Sequence, residues 1–183
     1  FFSKTPIETM GELRFDQKVS SEHLKKADLL CKKLGSQMKS RVCFCFGSTG
    51  LGEDEILFEL MARLTKSADR LGQFKPFYIY VPRHMKDLFL VEKELLKSKL
   101  IFVDRSKILD DNLNLNNGLS LDSDNLDGLL GDSLGEINFY FQMADYIFIG
   151  NSFNELGAHN VIEPLALKKP VFVGPSIWGI EYP

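Results

Sequence analysis

The feature that most restricts how this chain can fold is its alternation of short apolar runs with amphipathic segments. Six runs, at residues 41–46, 77–81, 100–103, 128–130, 146–150 and 171–173, have the length and apolar character of strands. Segments with helical spacing lie at 20–35, 53–71, 86–97, 135–143 and 160–167, and Ile56, Leu57, Leu60, Met61 and Leu64 mark one face of the second. Strands that alternate with helices imply parallel strands joined by right-handed crossovers. The fold class that follows is α/β, a Rossmann-like doubly wound parallel sheet with strand order 3-2-1-4-5-6. In that order strands one and four are neighbours, and a crevice opens beyond their carboxyl ends.

The 183 residues suit one domain, or one half of a two-domain enzyme. With 44% apolar and 26% charged residues the composition is that of a globular domain large enough to need no disulfide or metal staple. The net charge of -3 argues against a nucleic-acid-binding domain, which carries a basic excess. Of the three cysteines, Cys43 and Cys45 share one face of a strand, and with Cys31 they read as buried hydrophobes in a reducing compartment. No apolar run approaches the roughly 18 residues of a membrane span. No signal-peptide pattern is present. Phe1 and Phe2 do not resemble a natural start, so a part of a longer chain is expected. Residues 1–20 lack periodicity and read as an interdomain linker; residues 21–183 read as the domain. Residues 104–125, rich in Asn, Asp and Ser, favour a mobile loop, although the alternate leucines also allow a short edge strand.

Polar residues gather where strands end and helices begin, the rim where ligands sit in open α/β sheets. Strand one ends in Gly47-Ser48-Thr49-Gly50 and strand two in Pro82-Arg83-His84. Strand four ends in Gly131-Asp132-Ser133-Leu134-Gly135-Glu136, and strand five in a loop before His159 and Asn160. The glycines, Ser48 and Thr49 offer a tight turn, hydroxyls and exposed N–H groups to a phosphate, or serve only as a strand–turn–helix connection. That turn is neither a Walker loop nor GxGxxG. Arg83 either grips a phosphate or base carbonyl, or makes a surface ion pair. Asn160 and Glu163 fall at a helix start, where positive partial charge favours an anion. They form either a capping-box variant or a carboxylate site for the two hydroxyls of a ribose. No spacing fits a metal site, so metal ligands and cofactors are both read as none.

These blocks, in this order, resemble the Kdo transferase family, bacterial glycosyltransferases of GT-B architecture that use 3-deoxy-D-manno-octulosonic acid (Kdo). MGELRFD at 10–16 is similar to the family's G-N-L-K-F-D, and GSTGLGEDE at 47–55 to its S-T-H-x-G-E-E. VPRH at 81–84 is similar to P-R-H, and GDSLGE at 131–136 to D-T-M-G-E-L. GNSFNELGAHNVIEPLALKKPVFVGP at 150–175 is similar to G-G-S-x(5)-G-G-H-N-x-x-E-P-A-A-x-x-x-P-V-x-x-G-P. Gly50 stands where the family has His, Asn151 and Ala158 each stand for a Gly, and Leu134 stands for Met.

The resemblance implies the C-terminal, donor-binding domain of an enzyme that moves Kdo from CMP-Kdo to a lipid A precursor in lipopolysaccharide synthesis. The parent would work at the cytoplasmic face of the bacterial inner membrane, anchored through an N-terminal half that also supplies the acceptor groove and the general base. Neither is expected in this chain, which the resemblance implies is inactive alone and incomplete at its C-terminal end. Arg83 is implied at the CMP moiety, Ser133, Leu134, Gly135 and Glu136 beside the cytidine and phosphate, Asn160 and Glu163 at the nucleotide and ribose, and Ser48 and Thr49 near sugar or phosphate. Helix ends together with Arg83 would stabilise the departing phosphate. Two other readings fit the residues: a nucleotide-binding module without catalysis, and another GT-B enzyme that uses a UDP-sugar, transferase or epimerase.

Overall fold

A computed structural model describes residues 19–34, 40–116 and 126–180. Helix α1 (Ser21–Leu34) opens the described chain, with Ser20 Oγ accepting the His23 N–H at 3.3 Å as an N-cap. It is followed by β1 (Cys43–Thr49), α2 (Asp54–Arg70), β2 (Phe77–Pro82), a single 3-10 turn (Met85–Asp87) and α3 (Leu88–Ser98). The second half holds β3 (Phe102–Asp104), α4 (Arg105–Ile108), β4 (Gly128–Leu130), α5 (Ile137–Met143), β5 (Tyr146–Ile149), α6 (Ile162–Ala166) and β6 (Val171–Val173). All six strands pair in parallel, and the fold is the expected α/β, Rossmann-like sheet.

Side-chain alternation along β1 divides the core in two. Cys43 and Cys45 face the layer of α1 and α5, where Ala27, Leu30, Phe139 and Phe141 pack. Phe46 faces α2, where Leu57, Phe58 and Met61 pack with Tyr78 and Tyr80. Burial pushes all three thiols up, that of half-buried Cys31 to about 11, so none is a thiolate at neutral pH.

The strand order is 3-4-2-1-5-6, not 3-2-1-4-5-6. Strand β4 sits between β3 and β2, so it is not a neighbour of β1, and the expected crevice between strands one and four does not exist. Burial explains the difference. All three residues of β4 are buried, which requires a neighbour on each side, whereas every residue of β3 is only half-buried, as on an edge. Gly128 makes the insertion possible: a Cβ there would stand 2.3 Å from the Tyr78 carbonyl oxygen and 2.6 Å from the Phe102 ring. The order reverses between β1 and β5 instead, since β1 leads to β2 on one side while β5 leads to β6 on the other.

The described part of the polar stretch after β3, through residue 116, is folded rather than an open loop. It begins with α4 and closes in a bridge between Leu109 and Leu115, with Leu109 and Leu113 buried. The Asp110 carboxylate accepts the N–H groups of Asn112 (2.9 Å) and Asn114 (2.8 Å), bonds that hold its carboxyl below the usual carboxylate range. The linker reading of residues 1–18, the MGELRFD block, the helix stop at Gly35 and the remainder of the polar stretch (117–125) lie outside the described residues.

Candidate functional site

A cleft of about 170 Å³ opens at the carboxyl ends of the strands. Ser48 enters it from β1, Val81, Pro82 and Arg83 from β2, residues 133–137 from the turn after β4, and Glu163 from α6. The convergence survives the change in strand order because α5 carries the chain from β4 back across β2 and β1 to β5. Its Phe141 ring packs directly on Gly47, where a Cβ would lie 2.5 Å from the ring edge. Residues 133–137 therefore end beside Arg83 although β4 is two places from β1.

Seven of the nine residues anticipated from the sequence line this cleft: Ser48, Arg83, Ser133, Leu134, Gly135, Glu136 and Glu163. Thr49 and Asn160 are not among its lining. Thr49 is 3% exposed and turned inward beside the Tyr80 hydroxyl. Asn160 stands one step behind the wall. Its Oδ1 accepts the Ile162 N–H at 3.0 Å and its Nδ2 donates to the Glu163 carboxylate at 3.3 Å. The pair is thus not a capping box, since Glu163 does not reach back to the backbone. Asn160 orients the carboxylate toward the cleft.

The electrostatics of the cleft centre on two groups. The Arg83 side chain is exposed, and among the described residues its guanidinium makes no hydrogen bond or ion pair, so the ion-pair alternative fails. Its backbone N–H donates to the Thr49 carbonyl at 3.0 Å, which fixes Arg83 to the end of β1. Burial raises the Glu163 carboxyl above its ordinary value, against the opposing pull of Arg83 and the Asn160 amide. Burial, and then the charge of Arg83, hold the nearby His159 imidazole below its ordinary value, which favours the neutral form. One cation, one desolvated carboxylate and a wall of turn residues suit a polar ligand that carries both an anion and hydroxyl donors.

Glu136 lines the cleft and also holds the fold together beneath it. Its carboxylate receives Arg105 Nε at 2.8 Å and Nη2 at 2.5 Å, the Ser133 hydroxyl at 2.5 Å and the Tyr140 hydroxyl at 3.4 Å. With Arg105 4% exposed, this is a buried bidentate pair that shapes the turn at 133–136 and aims the Ser133 hydroxyl. The contact with Arg105 joins residues 31 apart, and no local spacing announces it.

The β1 turn is only partly open toward the cleft. Strand β1 continues through Ser48 and Thr49, with a register shift between Gly47 and Thr49 and Ser48 at φ 55°. The Gly50 N–H is already taken by Glu53 Oε2 at 2.7 Å. The helix ends are also weaker than anticipated. The helix expected over 160–167 spans Ile162–Ala166, five residues, and α5 spans seven, too short for substantial macrodipoles. Glu53, Arg105 and Tyr140, none singled out from the sequence, complete the framework together with Asn151, marked there only as standing for a Gly. Only the position of Glu53 ahead of a helix after a glycine-rich turn offered a signal. Among the described residues no cluster of three or more His, Cys, Asp and Glu side chains is arranged to hold a metal, and no helix is long and apolar enough to cross a membrane.

No protein-family model matches the chain. Over 173 residues it is 31% identical to the 3-deoxy-D-manno-octulosonic acid transferase of Haemophilus influenzae, a match that covers 94% of this chain and 36% of that protein. The corresponding transferase of Bordetella pertussis is 31% identical over 171 residues, covering 93% of this chain and 36% of that protein. A bifunctional glycosyltransferase/methyltransferase of Fusobacterium nucleatum is 30% identical over 173 residues, 93% of this chain and 24% of that protein. The chain therefore spans well under half the length of the curated relatives it matches. The crystal structure of the C-terminal CMP-Kdo binding domain of WaaA from Acinetobacter baumannii superposes with a TM-score of 0.68 at 24% identity, covering 87% of this chain and 74% of that one, and shares the fold.

Proposed function

We propose that this chain, a homologue of the Kdo transferases across 94% of its length, is the donor-binding part of such an enzyme and holds CMP-Kdo in the cleft at the carboxyl ends of its strands. The observation that carries the reading is the placement of Arg83 and Glu163 on one small cleft, with the Arg83 guanidinium making no hydrogen bond or ion pair among the described residues. Arg83 takes the phosphate of the nucleotide by charge-assisted hydrogen bonds. Glu163, oriented by Asn160, accepts from the ribose hydroxyls. Residues 133–136 form the wall beside the cytidine, with Leu134, 73% exposed, offering an apolar lip and Ser133 a hydroxyl fixed by Glu136.

The transfer is a single glycosyl displacement from CMP-Kdo to a lipid A precursor. The acceptor hydroxyl's proton goes to a base outside this chain. Charge developing on the departing CMP phosphate is met by Arg83 rather than by helix ends, given the shortness of α5 and α6. In this reading residues 1–20 lead in from an N-terminal acceptor domain, residues 21–183 form the donor domain, and the whole enzyme works at the cytoplasmic face of the inner membrane in lipopolysaccharide synthesis. The chain alone binds donor without transferring it.

Calorimetric titration of the chain with CMP, UMP and UDP tests the reading. Preference for CMP is expected. A clear preference for UDP would instead favour a UDP-sugar enzyme, and no binding to any of the three would remove the donor assignment.

A further inference from the structure

We infer that Glu53 is a built-in anion that fills a nest of backbone N–H groups at the β1/β5 junction, and that it is a positioning residue for the cleft. Its side chain reaches across from the start of α2 to the loop after β5. Oε2 accepts the N–H of Gly50 at 2.7 Å and of Asn151 at 2.6 Å. Oε1 accepts the N–H of Ser152 at 2.8 Å and of Phe153 at 3.0 Å. The residue is 1% exposed, and the N–H groups it collects, one from the glycine-rich turn and three from the loop after β5, form the kind of concavity that receives an anion.

The bonds matter because of where these N–H groups sit. Gly50 directly follows Ser48 and Thr49, and the Thr49 carbonyl holds the backbone of Arg83. Residues 151–153 begin the loop that ends at Asn160 and Glu163. Ser152 passes the constraint on: its Oγ accepts the Gly174 N–H at 2.8 Å and its carbonyl the Ser176 N–H at 2.9 Å. Glu53 thus joins both sides of the order reversal to one carboxylate. Without it, several buried N–H groups lose their acceptor, and the loop that presents Glu163 loses its register against the strand that presents Arg83.

The inference rests on the CMP reading for one of its readouts only. Glu53→Ala removes the fragment that corresponds to acetate and leaves its N–H partners in place. Acetate is expected to raise the melting temperature of Glu53→Ala by several degrees over sodium chloride at equal ionic strength, by analogy with ligand-linked stability. It should leave the unmutated chain unmoved, and acetamide, which lacks the charge, should not substitute. CMP affinity of the variant should fall about tenfold or more, as for lost charged hydrogen bonds, and recover in acetate. Where Glu53→Ala is unfolded in chloride, the yield of folded protein in acetate is read instead. Glu53→Gln keeps the volume but loses acceptor charge, and should show the same losses in milder form. Equal responses of the variant to acetate and chloride would overturn the inference, as would wild-type stability and CMP affinity in Glu53→Gln. If the unmutated chain binds no CMP, the donor reading fails, while acetate-specific stabilisation of Glu53→Ala still decides the role of Glu53.

Discussion

Asn151 Oδ1 stands 2.7 Å from the point a Cβ on Gly50 would occupy. Two departures from the family pattern, Gly50 for His and Asn151 for Gly, thus meet in a single contact. Asn151 is held there with φ 64°, its Nδ2 bonded to the Gly157 carbonyl at 2.9 Å and its Oδ1 to Asn154 Nδ2 at 2.8 Å. A side chain at position 50 has to displace that amide. Gly50→His and Gly50→Ala are each expected to cost about 1–3 kcal/mol. Asn151→Gly relieves the left-handed backbone but gives up the amide's bonds. The double variant Gly50→His/Asn151→Gly is expected to be more stable than the sum of the single changes by about 0.5–3 kcal/mol in a denaturant-based double-mutant cycle. Strict additivity would show that the contact is not what couples the two positions.

Arg83→Ala separates binding from folding most cleanly. The guanidinium is exposed and unpaired among the described residues, so its loss should leave the melting temperature within about a degree of the parent, as for ordinary surface changes. CMP binding should weaken by about 1–3 kcal/mol. Unchanged affinity would take Arg83 out of the site.

Glu163→Gln should show opposite effects on stability and binding. Burial raises the folded-state carboxyl above its unfolded value, so the folded chain holds this proton more tightly than the unfolded one. Its linked stability is therefore full at pH below the unfolded value, near 4.5, and falls as pH rises through the raised folded value. At neutral pH the ionised, desolvated carboxylate opposes folding. Glu163→Gln should flatten that part of the stability–pH curve and be no less stable than the parent at pH 7. Its CMP binding should weaken by about 1–3 kcal/mol. Thermal melts across pH together with calorimetry check both; a variant that loses stability at pH 7 contradicts the account.

The Arg105–Glu136 pair should behave as a buried ion pair. Glu136→Ala leaves the guanidinium, among the described residues, with only the Leu109 carbonyl, at 3.4 Å, and should cost about 3–5 kcal/mol. Ser133→Ala removes one hydroxyl and should cost about 1 kcal/mol. Replacing both charged partners together with Met should recover much of the loss. Urea denaturation of the four proteins gives the comparison, and equal costs for Glu136→Ala and Ser133→Ala would deny the pair its structural role.

The alternation of apolar runs and amphipathic segments was sufficient for the α/β class, because strand and helix periods impose different spacings on buried residues. It placed all six strands, from β1 near residue 43 to β6 near 172. Seven of the anticipated site residues also reach one cleft, since parallel strands put every strand-to-helix turn on the same edge. Strand order was beyond local pattern. Burial on both faces of Gly128, Leu129 and Leu130 depends on neighbours far along the chain, and a three-residue run carries no sign of them.

Roles within the site divide the same way. Residue type and position marked Arg83, just past a strand, and Glu163, at a helix start, because a cation and a carboxylate at such places are chemically distinctive wherever the rest of the chain goes. Tertiary structure decided that Thr49 turns inward, that Asn160 serves Glu163, and that Glu136, on the wall of the cleft, is held by Arg105. It also decided that the glycine-rich turn is occupied from within by Glu53. Hydrogen bonds between residues about 100 apart, such as Glu53 to Phe153, leave no spacing in the sequence to read. They form only once the sheet has brought the ends of β1 and β5 side by side.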